Sequence, residues 1–326
     1  MAIAIGDIHL KMPVILAPMS GVSDMPFRRL VKRLGAGLVI SEMIASQAMI
    51  RQTRQSLRMI EKSAAEEPMA VQLAGCEPGV MAEAAKLNED LGARIIDINF
   101  GCPMKKIVNN YSGSALMRDE LLAAKILEAT VNAVKVPVTL KMRTGWDDSN
   151  RNAPKLAKIA EECGIKMVTI HGRTRCQLYN GRADWSFIRK IKEAVNIPVI
   201  ANGDVVSCDD AKNILDSSGA DGVMIGRGSY GRPWFINQVA HFLETGDELA
   251  APSLKEQHAI MHEHMEAMLS HYGNEIGVRM ARKHVGWYSK GLDGSAEFRA
   301  SLNQIDQAPA MLVFISQFYS SCIDRS

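Results

Sequence analysis

The chain has no cysteine pattern of the kind that binds zinc or builds a disulfide framework. Its cysteines carry neither a Cys-x-x-Cys pair nor a Cys/His spacing typical of metal ligands. The six cysteines are Cys76, Cys102, Cys163, Cys176, Cys208 and Cys322. This absence predicts no metal centre and favours a reducing compartment, so we expect the protein in the cytoplasm.

Long hydrophobic runs are also missing. The apolar stretches near the N-terminus are interrupted by Asp7, His9 and Lys11, and no later run approaches the roughly 20 residues that a membrane-spanning helix needs. We therefore expect a soluble protein without a targeting segment or a membrane partner. Nothing in the sequence signals an obligate protein partner.

The chain has little excess of charge of either sign. It carries 38 Lys and Arg against 36 Asp and Glu, a formal net charge of +2, so bulk electrostatics do not by themselves require a nucleic-acid partner. Local clusters are more informative. The segment from His171 to Lys192 contains six basic residues, among them Arg173 and Arg175, and only one acidic residue, Asp184. A second cluster contains Arg282 and Lys283 beside aromatic residues, and both clusters predict RNA contacts if they are not ordinary solvated faces.

Short apolar runs alternate with longer amphipathic ones over most of the chain, as in a parallel α/β protein. The predicted strands are 14–17, 38–41, 70–73, 95–99, 138–142, 167–171, 199–202 and 223–225. Eight such runs predict a (β/α)₈ TIM barrel over residues 1–246. A doubly wound open sheet is disfavoured because no Gly-rich turn follows the first strand.

The sequence pattern changes after Gly246, because no further strand-like alternation of apolar and polar residues occurs there. Helical patterns occupy 253–272, 275–290, 296–303 and 308–320. We therefore expect a small all-α bundle at 247–326.

The most informative motif is Asn99-Phe100-Gly101-Cys102-Pro103, which follows the apolar run at 95–98. This order puts a lone thiol at the carboxyl end of a strand. The preceding glycine allows close approach of a flat ligand, and the following proline biases Cys102 toward extended backbone. By itself the motif more often marks a buried structural cysteine, and the rest of the sequence is needed to favour a reactive one.

Polar residues also end the other predicted strands, on the face where barrel active sites lie. They are Pro18-Met19-Ser20, Glu42, Gln72, Asn99 with Cys102, Lys141 with Arg143, His171 with Arg173, Asn202-Gly203-Asp204, and Gly226-Arg227. The last two turns could bind phosphate through backbone N–H groups. Together these strand ends would bury unpaired polar atoms unless a ligand or water met them.

The same residues carry a resemblance to a known family. The motifs APMSGVSD from Ala17, SEM from Ser41, VQL from Val71, DINFGCP from Asp97, TLKMRTG from Thr139, IHGRTR from Ile170, IANGD from Ile200 and IGR from Ile225 resemble those of the tRNA-dihydrouridine synthases, with the bacterial B subfamily nearest. The similarity extends into Ala281-Arg282-Lys283-His284 near the C-terminus.

The resemblance implies an FMN enzyme that uses NADPH to reduce the C5–C6 double bond of selected uridines in tRNA, with the D-loop as the expected location. It implies Cys102 as the proton donor to C5, and Asn99, Lys141 and Arg143 as residues that orient the uracil. The implied flavin-binding residues are Pro18, Met19, Ser20, Gln72, Lys141, His171, Asn202, Gly203, Asp204, Gly226 and Arg227. Because a general acid must carry its proton at neutral pH, we expect Cys102 to be a neutral thiol in the tRNA complex.

Several alternatives remain open at this stage. One is an FMN barrel that acts on a free pyrimidine or a small enone, and another is a non-catalytic RNA-binding barrel. Lys141 as a Schiff-base lysine is a third, although Cys102 would then lack a purpose. The polar segment 105–114 after the thiol is interpreted as a mobile lid or as an ordinary βα loop.

Overall fold

The structure, a computed structural model, describes residues 2–61 and 63–325. It begins with an antiparallel hairpin, β1 (Ile3–Ile5) and β2 (Ile8–Leu10), turned at Gly6, whose φ of +62° suits a residue without a Cβ. The parallel strands that follow are β3 (Val14–Leu16), β4 (Leu38–Ile40), β5 (Ile44–Ala45), β6 (Met69–Ala74), β7 (Ile95–Phe100), β8 (Val138–Arg143), β9 (Met167–His171), β10 (Val199–Asn202) and β11 (Gly222–Ile225).

These strands close into a barrel. The parallel pairing runs from β3 through β4, β6, β7, β8, β9, β10 and β11 and returns to β3, which confirms the predicted eight-stranded barrel. Each predicted strand coincides with an observed one to within two residues at either end. The short β5 was not predicted; it pairs with the end of β6 and resumes the path of β4 after a break at 41–43.

Helices cover the barrel between successive strands. They are α1 (Met25–Arg33), α2 (Ser46–Ile50), α3 (Arg54–Ile60), α4 (Pro78–Asp90), α5 (Lys105–Val108), α6 (Glu120–Ala133), α7 (Ala153–Glu162), α8 (Trp185–Lys192), α9 (Cys208–Ser218) and α10 (Phe235–Thr245). Short 3₁₀ turns occupy Ala64–Glu66, Gly113–Arg118 and Arg227–Ser229. Local signals set many ends: Ser207 and Asp210 form a capping box at the start of α9, and Gly219 ends that helix in the left-handed conformation.

The apolar side chains form distinct cores. The largest lies between the barrel and its helices. A second, inside the barrel, joins Ile15, Ile95 and Ile200 to hairpin residues such as Ile5 and Leu10. The hairpin therefore plugs the amino end of the barrel, and the opposite, carboxyl end is left for a site.

The C-terminal region forms the expected helices, α11 (Leu254–Tyr272), α12 (Asn274–Tyr288), α13 (Ser295–Leu302) and α14 (Ala308–Ile323). They share a core that includes Met265, Val285 and Met311. This bundle contacts the loop between β3 and α1, where the Tyr272 hydroxyl donates a hydrogen bond to Asp24 at 3.0 Å and Lys283 Nζ donates to the Gly21 carbonyl. Over residues 2–61 and 63–325, no helix is long and apolar enough to cross a bilayer.

Candidate active site at the carboxyl end of the barrel

The register of three neighbouring strands groups polar side chains inside the barrel. Gln72 on β6 is the ladder partner of Asp97 on β7, and Asp97 is the partner of Thr139 on β8. Two residues nearer the carboxyl end, Asn99 pairs with Lys141. Because alternate residues of a strand face the same side, both rows face the same side of the sheet, with Asn99 and Lys141 nearer the mouth.

A hydrogen-bond chain links these rows to the thiol loop. Gln72 Nε2 donates to Asp97 Oδ2 at 2.7 Å, and Asn99 Nδ2 donates to Gln72 Oε1 at 2.8 Å. Asn99 Oδ1 accepts from the backbone N–H groups of Gly101 at 3.0 Å and Cys102 at 2.9 Å. Asn99, which the resemblance assigns to the uracil, therefore fixes the Cys102 loop.

Cys102 is half-buried at the start of the loop that follows β7. Burial raises the pKa of its thiol, against the opposing effects of a hydrogen bond from the Met104 backbone and of the charges on Arg143 and Lys141. The thiol is therefore neutral at pH 7, the form that a general acid requires. The expectation for the tRNA complex remains a prediction.

The segment after the thiol is folded back onto it. Residues 105–108 form α5, and Ser114 donates to the Cys102 carbonyl from both its hydroxyl, at 2.8 Å, and its backbone N–H, at 3.1 Å. Gly113 has a φ of +61°, and a Cβ there would lie 2.8 Å from the Cys102 carbonyl oxygen. Lid motion of this segment remains a prediction.

Two cations lie next to the thiol. Lys141 Nζ donates to Asn202 Oδ1 at 3.3 Å, and burial together with the charge of Arg143 lowers the lysine pKa to about 8. Arg143 is buried. Its Nε donates a hydrogen bond to the Gly101 carbonyl at 2.9 Å, and its Nη1 donates to the carbonyls of Thr174 and Leu178 at 2.8 Å each. Within the described part of the chain Arg143 Nη2 makes no hydrogen bond, so one edge of this guanidinium is free for a ligand.

Arg173 does not reach the surface. It is only 2% exposed and forms a two-pronged ion pair with Asp204, with N–O distances of 2.6 and 2.9 Å. It also donates to the carbonyls of Asn180 and Gly181. Arg173 therefore holds Asp204 in place. These contacts do not support the predicted contact of Arg173 with the substrate.

The same ion pair sets the charges around His171. Arg173 Nη1 lies 3.3 Å from His171 Nε2, and burial together with the surrounding cations holds the histidine pKa well below its usual value. His171 is therefore neutral. Although partial burial raises the pKa of Asp204, hydrogen bonds from Arg173 and the Ala183 backbone outweigh it, so Asp204 is ionised.

The turns after β10 and β11 form a cradle for an anion. The backbone N–H groups of Gly203, Asp204, Gly226 and Arg227 donate no hydrogen bond to any described residue. Gly203 has a φ of +123°, and a Cβ there would lie 2.8 Å from Ala183 Cβ and 2.9 Å from His171 Cδ2. Arg227 is half-exposed, touches Asp204 at 3.1 Å, and has its guanidinium over the Tyr179 ring. Free N–H donors and a nearby cation are what a phosphate group requires.

The turn after β3 lies beside the turn after β11, because these two strands are paired in the barrel. The Met19 backbone N–H donates to Ser23 Oγ at 2.8 Å, and the Met19 side chain packs against the barrel cores. Pro18 is half-buried and Ser20 is exposed. A flat group could rest on this turn.

Three basic residues predicted to contact RNA have partners within the chain. Arg175 and Arg118 each place a guanidinium 4.7 Å from the centre of the Trp146 ring. Arg282 is paired with Asp306 at 2.6 Å, and Lys283 contacts Gly21 between the bundle and the barrel. RNA contacts by Arg175, Arg282 and Lys283 remain predictions.

The sequence did not predict a role for some residues that lie at or near the site. Asp97 and Thr139 were included only as parts of strands, and Tyr179, whose ring lies between the guanidinium groups of Arg143 and Arg227 at 5.5 and 4.8 Å, was missed. Asp97 left a usable signal, because it is a single acid inside the apolar run Ile95–Phe100. Tyr179 left none, since it lies in a loop whose path depends on Arg143 and Arg173.

Comparison with known proteins finds a family model and several relatives that match nearly the whole chain. The family model described as Dihydrouridine synthase (Dus) matches residues 15–321. A probable tRNA-dihydrouridine synthase of Rickettsia conorii is 61% identical over 99% of this chain and 98% of its own length. The tRNA-dihydrouridine synthase B of Pseudomonas aeruginosa is 49% identical over 98% of this chain and 96% of its own.

Solved structures show the same fold at low sequence identity. Morphinone reductase in complex with tetrahydroNAD has a TM-score of 0.52 at 15% identity, over 79% of this chain and 93% of its own. The old yellow enzyme homologue of Zymomonas mobilis has a TM-score of 0.53 at 14% identity, over 78% and 95%. The family match spans the barrel and the helical bundle alike, and with relatives this similar over their whole length, the chain belongs to the dihydrouridine synthase family.

Proposed function

We propose that this protein is a flavin-dependent oxidoreductase that reduces the C5–C6 double bond of specific uridines in tRNA, with FMN as cofactor and NADPH as electron donor. The observation that carries the proposal is a neutral thiol, Cys102, held at the barrel mouth beside Lys141 and Arg143. On the same face lie backbone N–H groups that donate to no described residue and could bind an anion. We place the reaction in the cytoplasm, where free cysteines stay reduced.

The residues around the mouth fit FMN. Free N–H groups at Gly203, Asp204, Gly226 and Arg227 suit its phosphate. The Ala183 and His171 side chains pack so closely against Gly203 that a Cβ would not fit there. Lys141 and His171 offer polar atoms to the ring, and Asn202 offers its amide. Gln72 lies in the row beneath, with its amide bonded to Asp97 and Asn99. The turn at 18–20 would support one side of the ring. Bound there in its reduced form, FMN supplies the hydride that adds to C6 of the uracil.

Cys102 supplies the proton that completes the reduction. Its S–H bond breaks as a C–H bond forms at C5, and the thiolate left behind regains a proton from solvent. Because burial raises the pKa of this thiol, the proton is present at neutral pH in spite of the nearby cations.

Lys141 and Arg143 manage the negative charge that develops on the uracil carbonyl oxygens before C5 is protonated. Fixed cations in a partly dry site stabilise such charge strongly. Lys141 offers its ammonium group, and Arg143 offers the free Nη2 while its other nitrogens hold the Gly101 carbonyl. Arg143 would therefore bind the uracil and also position the Cys102 loop.

We assign residues 1–246 to flavin binding and catalysis and residues 247–326 to tRNA binding. A uridine in folded RNA must leave its stack to reach the thiol, and a second module can hold the backbone while this happens. Arg175 at the mouth, with Arg282 and Lys283 on the bundle, supplies cations for that backbone. Binding of tRNA should then weaken steeply with added salt.

The test is to incubate the FMN-loaded protein and NADPH with an unmodified tRNA transcript and to map dihydrouridine by mass spectrometry. We expect dihydrouridine at defined positions, and none when NADPH is omitted. Free uracil and uridine at matched concentration are the control substrates. Equal turnover of uracil and tRNA would identify an enzyme for free pyrimidines instead, and a protein that cannot take up FMN would leave only an RNA-binding role.

A further inference from the structure

The hydrogen-bond chain beneath the thiol has a direction. Asp97 is fully buried in the barrel, and an ionised carboxylate can only accept hydrogen bonds. Gln72 must therefore present its NH₂ group to Asp97, which turns its carbonyl oxygen toward Asn99. Thr139 donates its hydroxyl to the other carboxylate oxygen at 2.6 Å.

The same direction continues to Cys102. With the Gln72 oxygen facing it, Asn99 must point its NH₂ group inward and its oxygen outward. That oxygen is what the backbone N–H groups of Gly101 and Cys102 require. Reversing either amide would set NH₂ against N–H, so the orientation chosen at Asp97 decides whether the Cys102 loop is held.

We propose that Asp97 is a positioning residue for the reaction: as an acceptor-only anchor it orients the amides of Gln72 and Asn99 and thereby fixes Cys102. This inference rests on the proposed function, because it gives the anchored thiol its purpose. Asp97 itself lies one row below the mouth and touches neither Cys102 nor the free donors of the cradle.

The other supports of the loop do not duplicate this link. Arg143 holds the Gly101 carbonyl and Ser114 holds the Cys102 carbonyl, so both act on acceptors. Among the described residues, only Asn99 accepts hydrogen bonds from the backbone N–H groups of Gly101 and Cys102. Burial raises the pKa of Asp97 to about 6, so the carboxyl group is ionised, and acceptor-only, at pH 7.5.

The test variant is Asp97→Leu, which keeps the approximate shape and removes both acceptor oxygens. In the flavin-free protein at pH 7.5 we expect the alkylation rate of Cys102, followed by peptide mass spectrometry, to rise about tenfold, because the loop loses its interior link. The exposed Cys176 in the same sample is the internal reference. In the FMN-loaded enzyme we expect kcat to fall about 10- to 100-fold, with KM for tRNA within about twofold.

The matched control is Thr169→Val on β9, which removes a buried strand hydroxyl that bonds no described residue and leaves Asp97 and Gln72 untouched. We expect it to keep alkylation and kcat within about threefold of the unmodified chain. If Asp97→Leu does not fold, Gln72→Leu cuts the same chain one link later and must give the same rise in Cys102 alkylation.

Two results would overturn the inference: Asp97→Leu with unchanged Cys102 alkylation and kcat, or equal losses in Thr169→Val and Asp97→Leu, which would indicate packing alone. Cys102→Ala is assayed alongside. Full activity in Cys102→Ala would remove the thiol role and this inference with it, whereas an inactive Cys102→Ala beside a normal Asp97→Leu would reject the inference and leave the proposed function standing.

Discussion

Raising the pH should remove the charge on Lys141 before that on its neighbour Arg143. Burial and the Arg143 charge bring its pKa from an ordinary 10.5 to about 8, against the opposing effects of Asp97 and Cys102. That difference corresponds to about 3 kcal/mol of lost preference for the charged form. Above pH 8 the lysine becomes neutral and no longer stabilises charge on the uracil.

The assay is kcat/KM of the FMN-loaded enzyme on a tRNA transcript between pH 6.5 and 9. We expect a plateau up to about pH 8 and then a decline that approaches tenfold per pH unit. Lys141→Arg keeps a cation of far higher pKa, so its plateau should extend to the top of the range even if its height is lower. Lys158→Arg, at an exposed lysine on α7, is the matched control and should leave the profile unchanged. A decline at the same pH in Lys141→Arg would refute the assignment of this limb to Lys141.

Further predictions concern the anion cradle, the bundle and the RNA. Arg173→Met should lower stability by about 1.5–3 kcal/mol, because Asp204 loses the charge-assisted hydrogen bonds from Arg173 but keeps Arg227 and the Ala183 N–H. The same variant should weaken FMN binding; urea unfolding and a flavin titration measure both effects, and unchanged FMN affinity would contradict the cradle role. Burial lowers the pKa of His264 to about 3, so each pH unit from about 6.5 down toward 3 should cost up to about 1.4 kcal/mol of stability. The urea midpoint should fall less between pH 7 and 5 in His264→Gln, and an identical slope would be contrary evidence. Arg175→Ala should reduce tRNA affinity and lower the slope of log affinity against log salt by about 1, with Lys158→Ala unaffected; equal slopes in both variants would exclude a phosphate contact.

Much of the fold could be predicted because barrel strands are buried on both faces and appear as short apolar runs. Val138–Arg143 and Met167–His171 are examples in which the apolar run and the polar end were both visible. The N-terminal hairpin was missed since its strands have three residues each, and their apolar side chains gain meaning only when they plug the barrel.

The candidate site was predictable in position more than in contacts. Strand ends placed Gln72, Asn99 and Cys102 on one face, because parallel strands end at the same edge. The pairing of these side chains depends on closure of the barrel. Arg173 and Asp204 lie on different loops and form an ion pair, and Asn99 bonds to Gln72 and to the Cys102 backbone. The sequence carries no local signal for such long-range hydrogen bonds.

The most direct measurement of the central claim is single-turnover reduction of a tRNA uridine by Cys102→Ala with FMN already reduced. General acid catalysis typically contributes about 10²- to 10⁴-fold, so we expect the rate of dihydrouridine formation to fall by that factor. Flavin content and tRNA affinity should match those of the unmodified chain, because Cys102 contacts neither the anion cradle nor the bundle. A rate equal to that of the unmodified chain would show that the proton at C5 comes from elsewhere.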